Sequence, residues 1–224
     1  MSKAKNKTPE AMADFFDSRA STYEQHMKES TTFEQFYNTI AACITRTKGK
    51  LSILDIGCGT GLELEYIFSI APKAHIIGID VSNEMLNKLK ERYRAYPGQV
   101  MLKTDSYLTL PLGKNKYDYV VSVMTLHHLL PETKLKIYQK IKNALKTGGK
   151  YIEGDFIVSK SEAATMMRKF QKWQKTFSAI TDGTHHIDIP CTIDTQKQLL
   201  ESAGFSQIEV ILKEEKAAII TAVA

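Results

Sequence analysis

Closely spaced cysteines are missing from this sequence. Its three, Cys43, Cys58 and Cys191, stand far apart in 224 residues, with no CxxC pair. That excludes a disulfide scaffold and offers no metal-ligand spacing. The sparse, odd count fits a reducing compartment, and a cytoplasmic protein is expected. No apolar run reaches the roughly 18 residues of a membrane span, so none is expected. The N-terminal lysines are followed by no apolar stretch, so nothing reads as a secretory signal. An excess of one charge is also lacking: 30 Lys and Arg stand against 25 Asp and Glu, a net +5. Nucleic-acid binders carry a clustered basic stripe. Here only Lys3, Lys5 and Lys7 cluster, in what reads as a solvated tail. There is no internal repeat and no low-complexity tract.

What is present has the composition of a soluble globular protein, 43% apolar and 25% charged, which excludes disordered and collagenous chains. The length corresponds to about one and a half domains of roughly 150 residues, so one compact unit with an appendage is expected. Short β-branched apolar runs at 51–56, 75–80, 99–103, 118–124 and 150–158 alternate with helical patterns at 62–70, 83–93 and 132–146. The last of these helices is expected to close at Gly148-Gly149 as a C-cap. The alternation implies parallel strands joined by right-handed crossovers, with helices on both faces. Strands apolar on both faces agree with that. Four residues separate 207–212 from 217–223 if both run to their ends, which admits a hairpin but no parallel crossover. The expected fold is α/β: a doubly wound, Rossmann-like, seven-stranded, mostly parallel sheet with an antiparallel C-terminal strand pair. A helical N-terminal cap at 1–48 precedes the main domain at 49–224. A lid insertion at 159–192 holds a helix (162–178) and a polar loop (181–190). Both extra segments are placed in chain order to cover the carboxyl edge of the sheet, where open α/β sheets bind ligands.

The first strand runs into Leu54-Asp55-Ile56-Gly57-Cys58-Gly59-Thr60-Gly61-Leu62. Glycines let a backbone turn sharply and let a ligand approach closely, and a helix starting near Gly61 offers free N–H groups. Leu62 stands where the dinucleotide fingerprint GxGxxG needs its third glycine, which disfavours a nicotinamide cofactor. Asp80 ends the second strand, 19 residues after Gly61, where an acid would take a ribose diol. Asp105 follows the third strand and is placed to accept from an exocyclic adenine amine. Singly, Asp80 also fits a helix-capping role and Asp105 a turn. Together, three acids at the ends of three adjacent strands match an adenosine with an amino-acid tail.

On these motifs the chain resembles the class I S-adenosylmethionine-dependent methyltransferases, most closely small-molecule members of the ubiquinone/menaquinone type. The resemblance is good over residues 15–156 and holds only in outline beyond. Asp55-Ile56-Gly57-Cys58-Gly59-Thr60-Gly61 is similar to the family's motif I, which implies cofactor contacts at Asp55, Gly57, Cys58, Gly59 and Gly61. At Cys58 the implied contact is through the backbone. Ile79-Asp80-Val81-Ser82 with Met85 resembles the ribose and adenine motif, and Asp105-Ser106 the adenine-amine acceptor. Tyr117-Asp118-Tyr119-Val120-Val121-Ser122-Val123 resembles the strand-four motif, which places Val123 beside the sulfonium. Leu145-Lys146-Thr147-Gly148-Gly149 resembles the LkpGG turn, with threonine where proline is commoner. Phe15-Phe16-Asp17-Ser18-Arg19-Ala20-Ser21-Thr22-Tyr23-Glu24 is similar to the FDxxAxxYD segment, which implies that Tyr23 reaches the methionine end. Arg19 fits the cofactor carboxylate or a surface ion pair.

The resemblance implies an enzyme that transfers a methyl group from S-adenosyl-L-methionine to a small organic acceptor by direct displacement, leaving S-adenosyl-L-homocysteine. Such a donor is already activated, so the protein must mainly align the partners and exclude water, effects that supply up to roughly 7–11 kcal/mol. A base is needed only where the acceptor must lose a proton. The catalytic candidates are His127 and His128, after the fourth strand at the active edge, and His186 in the polar loop. The first two also fit a strand-to-helix loop, and His186 plain loop structure. His185, His186 and Asp188 are potential metal ligands, but successive residues point apart and zinc needs a ligand from elsewhere; no metal is expected. The helical stripe Met166, Met167, Phe170, Trp173 and Phe177 reads as core or lid packing, or as an adaptable apolar wall for the acceptor. RNA or protein methylation and a non-catalytic S-adenosylmethionine-binding protein stay open as alternatives. No NPPY- or SPPF-type sequence follows strand four, which speaks against nucleic acid. A homodimer is a candidate assembly.

Overall fold

The computed structural model describes residues 9–29, 31–177 and 182–224. The Lys3, Lys5 and Lys7 cluster, Ser178 at the expected helix end and Thr181 at the loop start lie outside them. Three helices come first, α1 (Met12–Arg19), α2 (Tyr23–Lys28) and α3 (Phe33–Ala42). The alternating part follows as β1 (Ser52–Ile56), α4 (Leu62–Ile70), β2 (His75–Asp80), α5 (Asn83–Arg92), β3 (Val100–Thr104), β4 (Tyr117–Val123), α6 (Pro131–Ala144) and β5 (Leu145–Phe156). Then come α7 (Lys160–Thr176), α8 (Ile193–Ser202), β6 (Ser206–Lys213) and β7 (Ala217–Val223).

The seven strands lie in the order β3-β2-β1-β4-β5-β7-β6. β1 to β5 are parallel, and β7 slots antiparallel between β5 and β6. The expected Rossmann-like sheet with its antiparallel end is therefore present. Successive strand residues serve opposite faces. Ile53, Tyr119, Val121 and Ile152 pack with α3, α4 and α5. Leu54, Val120, Tyr151 and Ile220 pack with α6 and α8. Each fully buried aliphatic side chain contributes about 1.5–3 kcal/mol, which is why the central strands tolerate so few polar residues.

Helix α6 ends earlier than expected, and Gly148-Gly149 does not cap it. The Lys116 N–H donates to the Ala144 carbonyl at 2.8 Å and the Asn115 N–H to that of Asn143 at 3.0 Å. The segment entering β4 thus satisfies the terminal carbonyls that a glycine cap would have served. Leu145 already pairs with Tyr117, and Gly148, at φ +75°, turns the chain within β5. Helix α7 is closed at its start by a capping box: the Ser159 side chain accepts from the Glu162 N–H, and Glu162 accepts from the Ser159 N–H.

The sheet order turns between β1 and β4, and ligands bind at such switch points beyond the carboxyl ends of strands. The N-terminal helices arch over that edge. The Met12 N–H donates to the Thr184 carbonyl and the His186 N–H to that of Glu10, both at 2.9 Å. At the other end, one Asp17 carboxylate oxygen accepts from the Ser82 hydroxyl at 2.5 Å and the Glu84 N–H at 3.1 Å. The start of the chain is thereby tied both to the 182–190 loop and to the first turn of α5.

Candidate active site

Two adjoining cavities open at this edge. The first is walled by Tyr23, Gly57, Gly59, Asp80, Val81 and Met85, all anticipated from the sequence. His128 joins them, as do Met12, Phe16, Tyr107, Met124 and Thr125. The glycine turn makes the floor. Gly57 has φ +66° and Gly61 φ +69°, left-handed values that favour glycine. The Gly57 and Cys58 N–H groups both donate to the Ile79 carbonyl, at 2.8 and 3.2 Å, which presses the turn against β2. A Cβ on Gly57 would lie 2.3 Å from Thr125 Cγ2, whereas one on Gly59 would meet nothing within 4 Å. Close packing below and open space above make a cradle for a ligand.

The electrostatics fit a polar ligand with a cationic group. Asp55 is 1% exposed, and neither carboxylate oxygen accepts a hydrogen bond from an N–H or hydroxyl. Burial and the adjacent Glu63 carboxyl push its pKa well above the usual range, because two desolvated acids side by side resist ionising together. Asp80 is better served: the Gly59 N–H donates to Oδ2 at 2.9 Å and the Ser82 N–H to Oδ1 at 2.8 Å. Burial still raises its pKa, with those N–H groups pulling the other way. A carboxylate accepts up to about four hydrogen bonds, so Asp80 keeps capacity for a diol. An acid without donors and an open glycine cradle together suit S-adenosylmethionine.

Not every anticipated residue is on this wall. Asp55 and Cys58 are buried beneath it, and Gly61 caps α4 behind it. Val123 ends β4, buried. Asp105 is exposed and, like Ser106, lines neither cavity; its Oδ1 accepts from the Ser106 N–H at 2.7 Å.

The second cavity is wider, about 870 Å³, and shares Phe16, Tyr23, Met124 and His128 with the first. His127, His186, Asp188, Phe15, Phe156 and Arg19 also line it. All three catalytic candidates therefore meet in one place, although His186 lies far from the others in sequence. A short 3₁₀ turn at Leu126–His128 presents the first two. Met124, a non-glycine residue at φ +50°, leads into it, and such backbone outliers concentrate at functional sites. His127 Nδ1 lies 2.7 Å from Asp155 Oδ1. His128 Nδ1 lies 3.1 Å from the Ile187 carbonyl, while its Nε2 is buried without a partner. Burial, then the neighbouring histidines, drive the His128 pKa well down, so this ring is neutral. His186 stacks on Phe15 with ring centres 3.4 Å apart, and Arg19 covers the other Phe15 face at 3.6 Å. Arg19 also pairs with Glu10 at 3.0 Å. His185 turns elsewhere, bonding Thr184 Oγ1 at 2.9 Å.

Asp155 was not anticipated; it stands inside a strand where an apolar residue would be expected. It belongs to a buried charged set: Lys134 Nζ is 3.2 Å from Glu153 Oε1 and 3.8 Å from Asp155 Oδ2, and the Tyr138 hydroxyl donates to Glu153 at 2.6 Å. Burial alone would raise Asp155, but His127 and Lys134 outweigh it and hold the carboxyl below its ordinary value. The signal available in the sequence was Lys134 lying on the apolar face of α6. Phe170, Met167, Trp173 and Phe177 pack with Ile187, Ile189 and Leu130, and none of them lines either cavity.

Residues 53–149 match a family model described as a methyltransferase domain. A carboxy-S-adenosyl-L-methionine synthase of Nautilia profundicola is 24% identical, over 93% of this chain and 93% of its own. A demethylmenaquinone methyltransferase of Symbiobacterium thermophilum is 29% identical over 62% of this chain and 56% of its own. Among solved structures, the fold is shared with 1,6-didemethyltoxoflavin-N1-methyltransferase of Burkholderia thailandensis, which holds its substrate and S-adenosylhomocysteine. The TM-score is 0.66 at 15% identity, covering 95% of this chain and 86% of that one. The chain spans 50–67% of the length of the first five solved chains that it resembles.

Proposed function

We propose that the chain is a class I S-adenosylmethionine-dependent methyltransferase and that it methylates a small organic acceptor seated in the wider cavity. The observation that carries this reading is the shared wall: Phe16, Tyr23, Met124 and His128 face both cavities, so a donor in one meets an acceptor in the other. Side chains of α1 and α2 line the acceptor side.

In this reading the anticipated residues divide by ligand part. Asp80 takes the ribose diol, Val81 and Met85 flank the adenine, and Asp105 with Ser106 meets its amine. Gly57, Cys58, Gly59 and Gly61 shape the backbone cradle. Asp55, from below, and Tyr23, from above, serve the methionine end, and Val123 supports the sulfonium side. His127, His128 and His186 face the acceptor. When bound, S-adenosylmethionine would supply an electrophilic methyl group for displacement by the acceptor, with S-adenosylhomocysteine as the second product. The chain's own part is to align the reacting atoms and keep water out.

The test is S-adenosylmethionine carrying a labelled methyl group, incubated with the protein and a desalted cell extract supplemented with its own small metabolites. Label passing a filter of a few kilodaltons, and lost in Asp80→Ala, supports the reading. Label retained with nucleic acid or protein overturns it, and product mass separates methyl transfer from carboxylation of the cofactor. Asp80→Ala should weaken cofactor binding by about 1.5–3 kcal/mol, the worth of hydrogen bonds to a charged group, measured by calorimetry. His186→Ala should lower acceptor turnover and leave cofactor affinity unchanged.

A further inference from the structure

We propose that His127, His128 and Asp188 form a binding site for one divalent transition-metal ion on the wall of the acceptor cavity. One donor atom from each lies within 4.8 Å of the other two. Asp188 Oδ1 is 3.5 Å from His128 Nδ1 and 3.8 Å from His127 Nε2. Ligand bonds of about 2.0–2.2 Å set neighbouring donors on one ion roughly 3–3.5 Å apart, so an ion would draw the three donor atoms closer together.

The surroundings of the donors fit an ion site. His127 turns Nδ1 to the buried Asp155 at 2.7 Å, which directs Nε2 towards the Asp188 carboxylate at 3.8 Å. A carboxylate behind a ligating histidine is also the usual outer support of a metal site, fixing tautomer and ring orientation. His128 is 3% exposed and still has a ring nitrogen without a partner, so protein atoms alone do not satisfy this imidazole. The Ile187 carbonyl, 3.1 Å from its Nδ1, orients the ring.

Two imidazoles and one carboxylate select ions such as zinc, iron(II) or cobalt(II) over magnesium or calcium, which favour all-oxygen shells. Three protein ligands leave coordination positions open towards the cavity. An acceptor oxygen or sulfur bound there would shed its proton more readily, which points to acceptors carrying a hydroxyl or thiol at the methylated position. That consequence rests on the proposed methyl transfer; the ion site does not.

The test uses the untagged full chain, stripped with a chelator and titrated with Co²⁺ while its visible absorption is followed. Zn²⁺ is then titrated against a chromophoric chelator. One ion per chain is expected. Asp188→Asn, a change at a half-exposed residue that spares the core, and His127→Gln should each weaken it at least tenfold, and Asp155→Asn by about 10–100-fold. S-adenosylmethionine binding by Asp188→Asn should equal that of the wild type, which shows an intact fold. A wild-type chain that takes up no stoichiometric ion overturns the proposal, as do variants that hold the ion as tightly as wild type. An ion-free chain whose turnover depends on Asp155 would make His127 a proton acceptor instead. Loss of S-adenosylmethionine binding with the ion retained would refute the methyl-transfer reading and leave the ion site standing.

Discussion

At Asp55 the protein holds a carboxyl group that its own donors do not satisfy. The sign of its effect on stability follows from the direction of its pKa, raised by burial and by Glu63. A carboxyl raised in the folded state contributes stability at low pH, and that contribution is lost as pH rises through the raised value. Asp55→Asn should therefore raise the melting temperature of the ligand-free chain at neutral pH, by roughly 2–4 °C for each kcal/mol recovered. It should also flatten the decline of stability with rising pH. The same change should weaken S-adenosylmethionine binding, the usual exchange of stability for function at a site. Thermal scans across pH and calorimetry with the cofactor check both halves; a lower melting temperature at neutral pH would contradict the first. Asp55 was legible in the sequence because it precedes a glycine turn. Asp155 was not, because nothing local distinguishes an acid in β5 until α6 sets Lys134 opposite it.

Among the elements, the glycine turn between β1 and α4 is the most constrained. Gly57→Ala meets two separate obstacles: a left-handed φ of +66° and a Cβ position 2.3 Å from Thr125 Cγ2. The backbone strain alone costs about 1–3 kcal/mol. Urea unfolding should show a loss at least that large, and adding Thr125→Ala should restore only the steric part. Full recovery in the double variant would show that the left-handed conformation carries no cost. The strands and helices were readable from periodicity because both sheet faces are covered, leaving continuous apolar runs. The end of α6 was misplaced because its carbonyls are satisfied by Asn115 and Lys116, residues nearly thirty positions upstream that no local pattern reveals.

In the molecule as a whole, the buried set of Lys134, Glu153, Tyr138 and Asp155 joins α6 to the centre of the sheet. Burial pulls the Lys134 ammonium towards neutrality, but Glu153 and Asp155 outweigh it and hold it charged. Removing one partner of such a set leaves an uncompensated buried charge, at a cost of about 3–5 kcal/mol. Lys134→Met should lose that much stability in denaturant unfolding, and the double variant Lys134→Met with Glu153→Leu should regain part of it. An unchanged midpoint in the single variant would show that the set is solvated. The N-terminal helices act at the same scale. Backbone bonds from Met12 and to Glu10 fasten them to the 182–190 loop, and the stack of Arg19, Phe15 and His186 seals the join.

Sequence alone determined the sheet, the crossovers, the glycine turn and the acids at the strand ends, because each is written in residues close together in the chain and read by spacing. Tertiary structure decided what those motifs surround. It brought His186 and Asp188 onto His127 and His128, set Asp155 behind His127, and placed Phe16, Tyr23 and Met124 between two cavities. These groups come from segments up to about 170 residues apart. Only burial, which makes an unpaired charge or lone pair costly, specifies how such distant groups must meet.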